Sequence, residues 1–154
     1  MKPDITVRFK RLDERATAPK YCSDHAAGMD LYACLPRGLI TTPTVLISRG
    51  EIVKIPLGFC VEIPLGNEGQ VRPRSGLASK HGLTLPNSPG TVDADYRGEM
   101  FVALINLSEA PYEIQHGDRI AQMIIAPVTR AALIEVDELS PTPRGDGGFG
   151  STGR

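Results

Sequence analysis

The chain has 154 residues, 41% of them hydrophobic, enough to bury one core of ordinary domain size, which excludes global disorder. Lys+Arg number 17 against 18 Asp+Glu, a formal net charge of −1, which argues against a module that grips duplex phosphates through a basic excess. The 16 glycines and 13 prolines interrupt long helices and favour a turn-rich β protein.

In chain order, residues 5–9 (ITVRF) alternate apolar and polar side chains, the period of a half-buried strand. Short runs of the same kind recur at 31–35, 45–47, 51–55, 59–64, 69–72, 99–107, 119–126 and 132–137. Turn residues such as Pro64–Gly69 and Pro86–Gly90 separate them. The main helix expected is short: Ser75 caps a turn or two through Lys80, stopped by Gly82. From Ser140 to Arg154 the chain reads SPTPRGDGGFGSTGR, with Phe149 its only large apolar side chain. Such a stretch cannot offset its own ordering entropy and is expected to be a mobile tail. The expected organisation is therefore an all-β domain over 1–139 and an arm over 140–154.

Cys22, Cys34 and Cys60 form no CxxC pair, and the N-terminus has no signal-like apolar stretch. The longest apolar run, 120–128, is too short to span a bilayer and contains Gln122 and Pro127. These features predict a soluble, cytoplasmic protein with no membrane or nucleic-acid partner, in which the sequon at Asn106 is incidental. The GxGxxG pattern at Gly145–Gly150 lacks a preceding strand and a following helix, so it is no dinucleotide turn. Asp93, Asp95 and Gly98 hint at a calcium loop, but its twelfth position is Leu104 rather than Glu. His25, His81 and His116 have no metal-like spacing.

Five polar, glycine-marked segments remain. In AAGMDLYA (26–33), Asp30 sits among small and apolar residues, where turn capping is the plain alternative to function. In VRPRSGLASKHG (71–82), Arg74 offers a fork of donors, Ser75 a hydroxyl at a helix start and Gly76 close backbone approach; together they suit a phosphate. In NSPGTVDADYRGE (87–99), Asp93 and Asp95 share a side of any extended segment, and a buried carboxylate there suits a general base. Tyr96 suits packing on a sugar, and Asn87 suits reading a base edge. The plain alternative is a polar hairpin with Arg97 and Glu99 paired across strands. In QHGDRIAQMII (115–125), Asp118 and Arg119 read as turn structure, whereas Gln122 interrupts an apolar strand and needs partners. The tail is the fifth segment, with Phe149 as a stacking face and Arg144 as a phosphate partner.

In order and spacing these five segments resemble the motifs of the trimeric dUTPase family, the dUTP nucleotidohydrolases, from Asp30 to Gly153. The resemblance implies a distorted β-barrel of the β-clip type, with one short helix and a flexible C-terminal arm. It implies a homotrimer whose sites lie between subunits, each closed by an arm. The implied reaction is Mg²⁺-dependent hydrolysis of dUTP to dUMP and pyrophosphate, which keeps uracil out of DNA and supplies dUMP for thymidylate synthesis. By similarity, Asp93 activates the attacking water and Asp30 helps place metal-bound waters. Arg74, Ser75, Gly76, Gln122 and Arg144 hold the phosphates. Asn87, the hairpin backbone of Thr91, Val92 and Asp93, and the backbone near Phe101 read uracil; Tyr96 lies against the deoxyribose and Phe149 stacks on the base. A dCTP deaminase shares this fold but is not expected to combine the Asp93–Tyr96 segment with the Phe149 tail. A non-catalytic nucleotide sensor is expected to have lost the base or the tail.

Overall fold

The computed structural model describes residues 5–37 and 43–148. Within them are twelve strands and one helix: β1 (Arg8–Arg11), β2 (Lys20–Tyr21), β3 (Met29–Tyr32), β4 (Thr44–Ile47), β5 (Ile52–Pro56), β6 (Phe59–Glu62), β7 (Asn67–Pro73), α1 (Ser75–His81), β8 (Leu83–Thr84), β9 (Gly90–Val92), β10 (Phe101–Asn106), β11 (Tyr112–Gln115) and β12 (Arg119–Pro127). The protein is all-β with one short helix. Hydrogen bonding runs through four sheets, β2-β3-β12-β7-β9, β5-β10-β8, β1-β6 and β11-β4, which form no closed barrel. All strand pairs are antiparallel.

Alternation places the core. β10 (FVALIN) turns Val102, Leu104 and Asn106 fully inward and leaves the residues between them half-buried, the period-2 signature of a strand with one interior face. Phe59, Leu31, Leu35, Ile55, Leu57 and Ile120 join them with almost no exposed surface. β12 is the organising strand of the large sheet, flanked by β3 on one side and β7 on the other.

Several expectations are corrected. The alternating segment 5–9 is not the first strand; β1 begins at Arg8, pairs with β6, and is exposed along its whole length. Its apolar residues find little cover: Val7 packs on the core, and the half-exposed Phe9 ring meets Phe59 edge to face. Residues 132–137 are not a strand: among the described residues no element pairs with them, and Leu133 is 98% exposed. Ser75 is not the helix cap but its first residue. Arg74 is the N-cap, without a side-chain cap bond, and Gly82 ends the helix in the left-handed region at φ 63°. Asn106 is wholly buried, donating to the Ile47 and Ala110 carbonyls at 2.9 and 2.8 Å, so the sequon is a structural asparagine in the folded chain. Among the described residues no helix is long and apolar enough to cross a membrane.

Candidate functional site

The candidate residues gather into two groups, joined by the large sheet. The first is an arginine–carboxylate cluster at the junction of β3, β7 and β12. Asp30, on β3, stands opposite Gln122 on β12, and its carboxylate retains only 13% exposure. One oxygen accepts from Arg119 Nη1 at 3.1 Å and from the Cys22 thiol at 3.0 Å; the other faces Arg74 Nε at 3.5 Å. Arg74 also donates to the Arg119 carbonyl at 2.9 Å. Asp30 is thus no turn cap but the shared anion of two guanidiniums. The Asp30 carboxylate, then the Cys22 thiol, raises the Arg119 pKa, so that guanidinium stays charged. Gln122 finds the partner its burial demands in the Pro73 carbonyl, at 3.0 Å. Its amide oxygen would lie 2.9 Å from a β-carbon at Gly28, so a side chain there would push the Gln122 amide aside. Ser75 and Gly76 follow directly and are exposed.

The second group surrounds the β9 hairpin and holds two cavities. The larger, of about 230 Å³, has Thr91, Val92, Asp93 and Tyr96 on one side and Lys54, Glu99, Met100 and Phe101 on the other. The smaller, of about 60 Å³, is bounded by Asn87, Gly90, Thr91, Val92 and Phe101. Asp93 is exposed in the single chain, not buried as expected, and among the described residues its carboxylate has no hydrogen-bond partner. The chain turns at Ala94–Asp95, which removes Asp95 from the cavity and overturns the expectation that both aspartates share a face. Tyr96 donates its hydroxyl to the Glu99 carbonyl at 2.7 Å. A β-carbon at Gly98 would lie 2.5 Å from that hydroxyl, so Gly98 lets the ring fold back. Arg97 and Glu99 are not a cross-strand pair: Arg97 donates to the Ala94 and Tyr96 carbonyls, and Glu99 accepts from the Gly58 amide at 3.2 Å.

Within one chain the two groups stand apart. Val92 pairs with Gly69 on β7, whereas Arg74 lies five residues further along the same extended chain. At about 3.3 Å per residue the separation is roughly 16 Å. Arg144 is exposed on the arm, where its Nε donates to the Gly147 carbonyl at 2.7 Å; Phe149 lies outside the described residues. Sequence reasoning assigned Arg119 to turn structure and Glu99 to a cross-strand pair, and gave Cys22 and Lys54 no role at the site. Strand register brings Arg119 beside Asp30 and Lys54 beside Phe101.

The described residues contain no group of three or more His, Cys, Asp or Glu side chains arranged to hold a metal ion.

The dUTPase family model matches residues 14–153. The deoxyuridine 5'-triphosphate nucleotidohydrolase of Syntrophotalea carbinolica is 54% identical over 149 residues, covering 97% of each chain. That of Beijerinckia indica is 52% identical over 151 residues, covering 98% of this chain and 92% of its own. Among solved structures, a Staphylococcus bacteriophage 80alpha dUTPase variant with dUpNHpp is similar at a TM-score of 0.85 and 28% identity, covering 97% of this chain and 99% of that one. A dUTPase variant from phage phi11 of S. aureus, described with a structural Mg(II) ion, reaches a TM-score of 0.77 at 25% identity, covering 89% and 100%.

Proposed function

The chain belongs to the dUTPase family, and on that premise we propose that it is a dUTP diphosphatase, hydrolysing dUTP to dUMP and pyrophosphate in the cytoplasm. The observation that carries this is the Asp93 carboxylate, unpaired among the described residues at the mouth of a cavity shaped by the β9 hairpin, in a chain matched to the family over nearly its whole length.

Asp93 accepts a proton from water, whose oxygen forms a bond to the α-phosphorus. The bond from that phosphorus to the bridging oxygen breaks, and pyrophosphate leaves with its electron pair. Positioning and charge stabilisation dominate such chemistry. Arg74, Ser75, Gly76 and Gln122 bind the phosphate chain, with Arg144 added from the arm. Asn87 and the backbone of Thr91, Val92 and Phe101 hold uracil in the smaller cavity, whose tight walls exclude a 5-methyl group. Tyr96 packs against the deoxyribose, and Phe149 stacks on the base when the arm closes.

Asp30 suits a magnesium ion held mainly by substrate phosphates. Its oxygens already accept from Arg119 and the Cys22 thiol and face Arg74, so it fits an outer carboxylate reaching the ion through water rather than part of a protein cage. When bound, Mg²⁺ neutralises and orients the triphosphate.

The active form is a homotrimer. Two features support this: the hairpin and the arginine cluster stand roughly 16 Å apart along one chain, and residues 127–146 are all exposed. Among the described residues, the last backbone bond from this end of the chain to the body is from Val128 to Gly66, after which Leu133, Ile134, Val136 and Leu139 are left bare. Such a run suits docking on a second copy. Residues 140–154 then serve as a lid over a site built by neighbours.

The test is pyrophosphate release from dUTP compared with dTTP, dCTP and UTP, with and without Mg²⁺. Preference for dUTP and dependence on the ion are expected. Ammonia release from dCTP would replace the assignment with a deaminase.

A further inference from the structure

We propose that Lys54 is a positioning residue for the nucleoside end of the substrate, acting through the ring of Phe101; this rests on the dUTP site proposed above. β5 packs Val53 and Ile55 against the core and puts Lys54 on its outer face. Across the ladder, Lys54 stands opposite Ala103 on β10, and Phe101 is the diagonal neighbour on the same face. Ala103 places only a methyl group between them. The Lys54 ammonium lies 4.0 Å from the centre of the Phe101 ring, well inside the range at which the ring face attracts a cation.

Phe101 lines both cavities, whereas Lys54 lines only the larger. Phe101, with Thr91 and Val92, therefore stands where the two cavities meet, and the ammonium holds its ring from the side of the larger one. Lys54 is also the one cation among that cavity's lining residues, beside the carboxylates of Asp93 and Glu99. A lysine serving only solubility gains nothing by folding its charge back over an aromatic ring at a cavity wall. Fixing the ring also fixes the backbone at the start of β10, which the uracil edge is proposed to contact.

Three variants test this: Lys54→Met keeps most of the stem and drops the charge, Lys54→Ala drops both, and Lys54→Arg keeps a cation for the ring. In Lys54→Met, the KM for dUTP and the inhibition constant of dUMP are both expected to rise roughly fivefold to tenfold, with kcat within about twofold of the parent. Lys54→Arg should restore both constants, and Lys54→Ala should resemble Lys54→Met. Unchanged KM and dUMP inhibition in Lys54→Met, with or without a lower melting temperature, would overturn the proposal, since a lysine that only stabilises the fold moves Tm alone. A shift in pyrophosphate inhibition with dUMP unaffected would also overturn it, placing Lys54 at the phosphates. Failure of the parent enzyme to hydrolyse dUTP would instead overturn the site on which the proposal rests.

Discussion

Asp93 carries the heaviest assignment of any single residue, and Asp93→Asn isolates it: the side chain keeps its shape and loses its capacity to take a proton. Turnover is expected to fall by about 10²–10⁴ while calorimetry still finds dUTP binding; near-parental turnover would remove Asp93 from the role. Elsewhere an ion pair sets a pH dependence. Arg15 grips Asp13 with two side-chain bonds, at 3.1 and 2.6 Å, and a backbone bond at 2.9 Å. The Arg15 side chain, then its amide, lowers the Asp13 pKa to about 2 from 3.8. The folded state binds this proton less readily than the unfolded chain, so Asp13 contributes stability above pH 3.8, lost as pH falls through about 2. Urea midpoints for the parent and Asp13→Asn should differ at pH 7 and converge toward pH 2; a constant gap would mean that the carboxylate's charge is not responsible. At this scale the sequence was informative wherever a polar residue interrupts an apolar run. Asp30 and Gln122 stood out for that reason, and both are engaged at the β3–β12 junction. Arg119 and Lys54 did not stand out, because charged residues on strands look alike until register decides their neighbours.

Elements were legible where both faces of a strand have fixed environments. β5, β10 and β12 lie within two residues of the spans that alternation predicts, because core on one side and lighter cover on the other enforce the period. β2 and β8, of two residues each, are too short to carry a period and exist only through their partners. The run at 132–137 shows the opposite failure, since its apolar residues have no strand partner among the described residues. Asn106 shows how an element end is secured. Its side chain, 0% exposed, closes β10 onto the Ile47 and Ala110 carbonyls and accepts from the Ser108 amide and hydroxyl at 2.9 and 2.8 Å. Asn106→Ala strands these groups in a buried place, at a cost of about 2–4 kcal/mol. A domain of this size should then melt roughly 5–15 °C lower. A calorimetric shift under a degree would show that water replaces the side chain.

The whole molecule is where sequence and single-chain structure say least separately and most together. Composition marks the arm as unable to fold on itself, but only the dUTPase resemblance supplies a place for it. The exposed Leu133, Ile134, Val136 and Leu139 then become a surface awaiting a neighbour. Removing everything after Pro143 should spare folding and the assembly, whose sedimenting mass is expected near three times 16.6 kDa, yet greatly reduce turnover, because Arg144 and Phe149 go with it; full activity would exclude a lid. A sharper test uses the distance between the hairpin and the arginine cluster. If one nucleotide takes Asp93 from one subunit and Arg74 from another, two inactive variants can complement each other. Asp93→Asn keeps an intact arginine cluster, and Arg74→Ala keeps an intact hairpin. When the two are unfolded together in equal amounts and refolded, random assembly gives about a quarter of the sites an intact hairpin facing an intact cluster. Turnover should recover to roughly that fraction of the parent's, while each variant refolded alone stays inactive. Recovery should also require co-assembly, so mixing already folded trimers yields nothing until subunits exchange. A refolded mixture as inactive as its components would mean that each chain supplies both groups to its own site, and the two halves would have to close on one another within a single subunit.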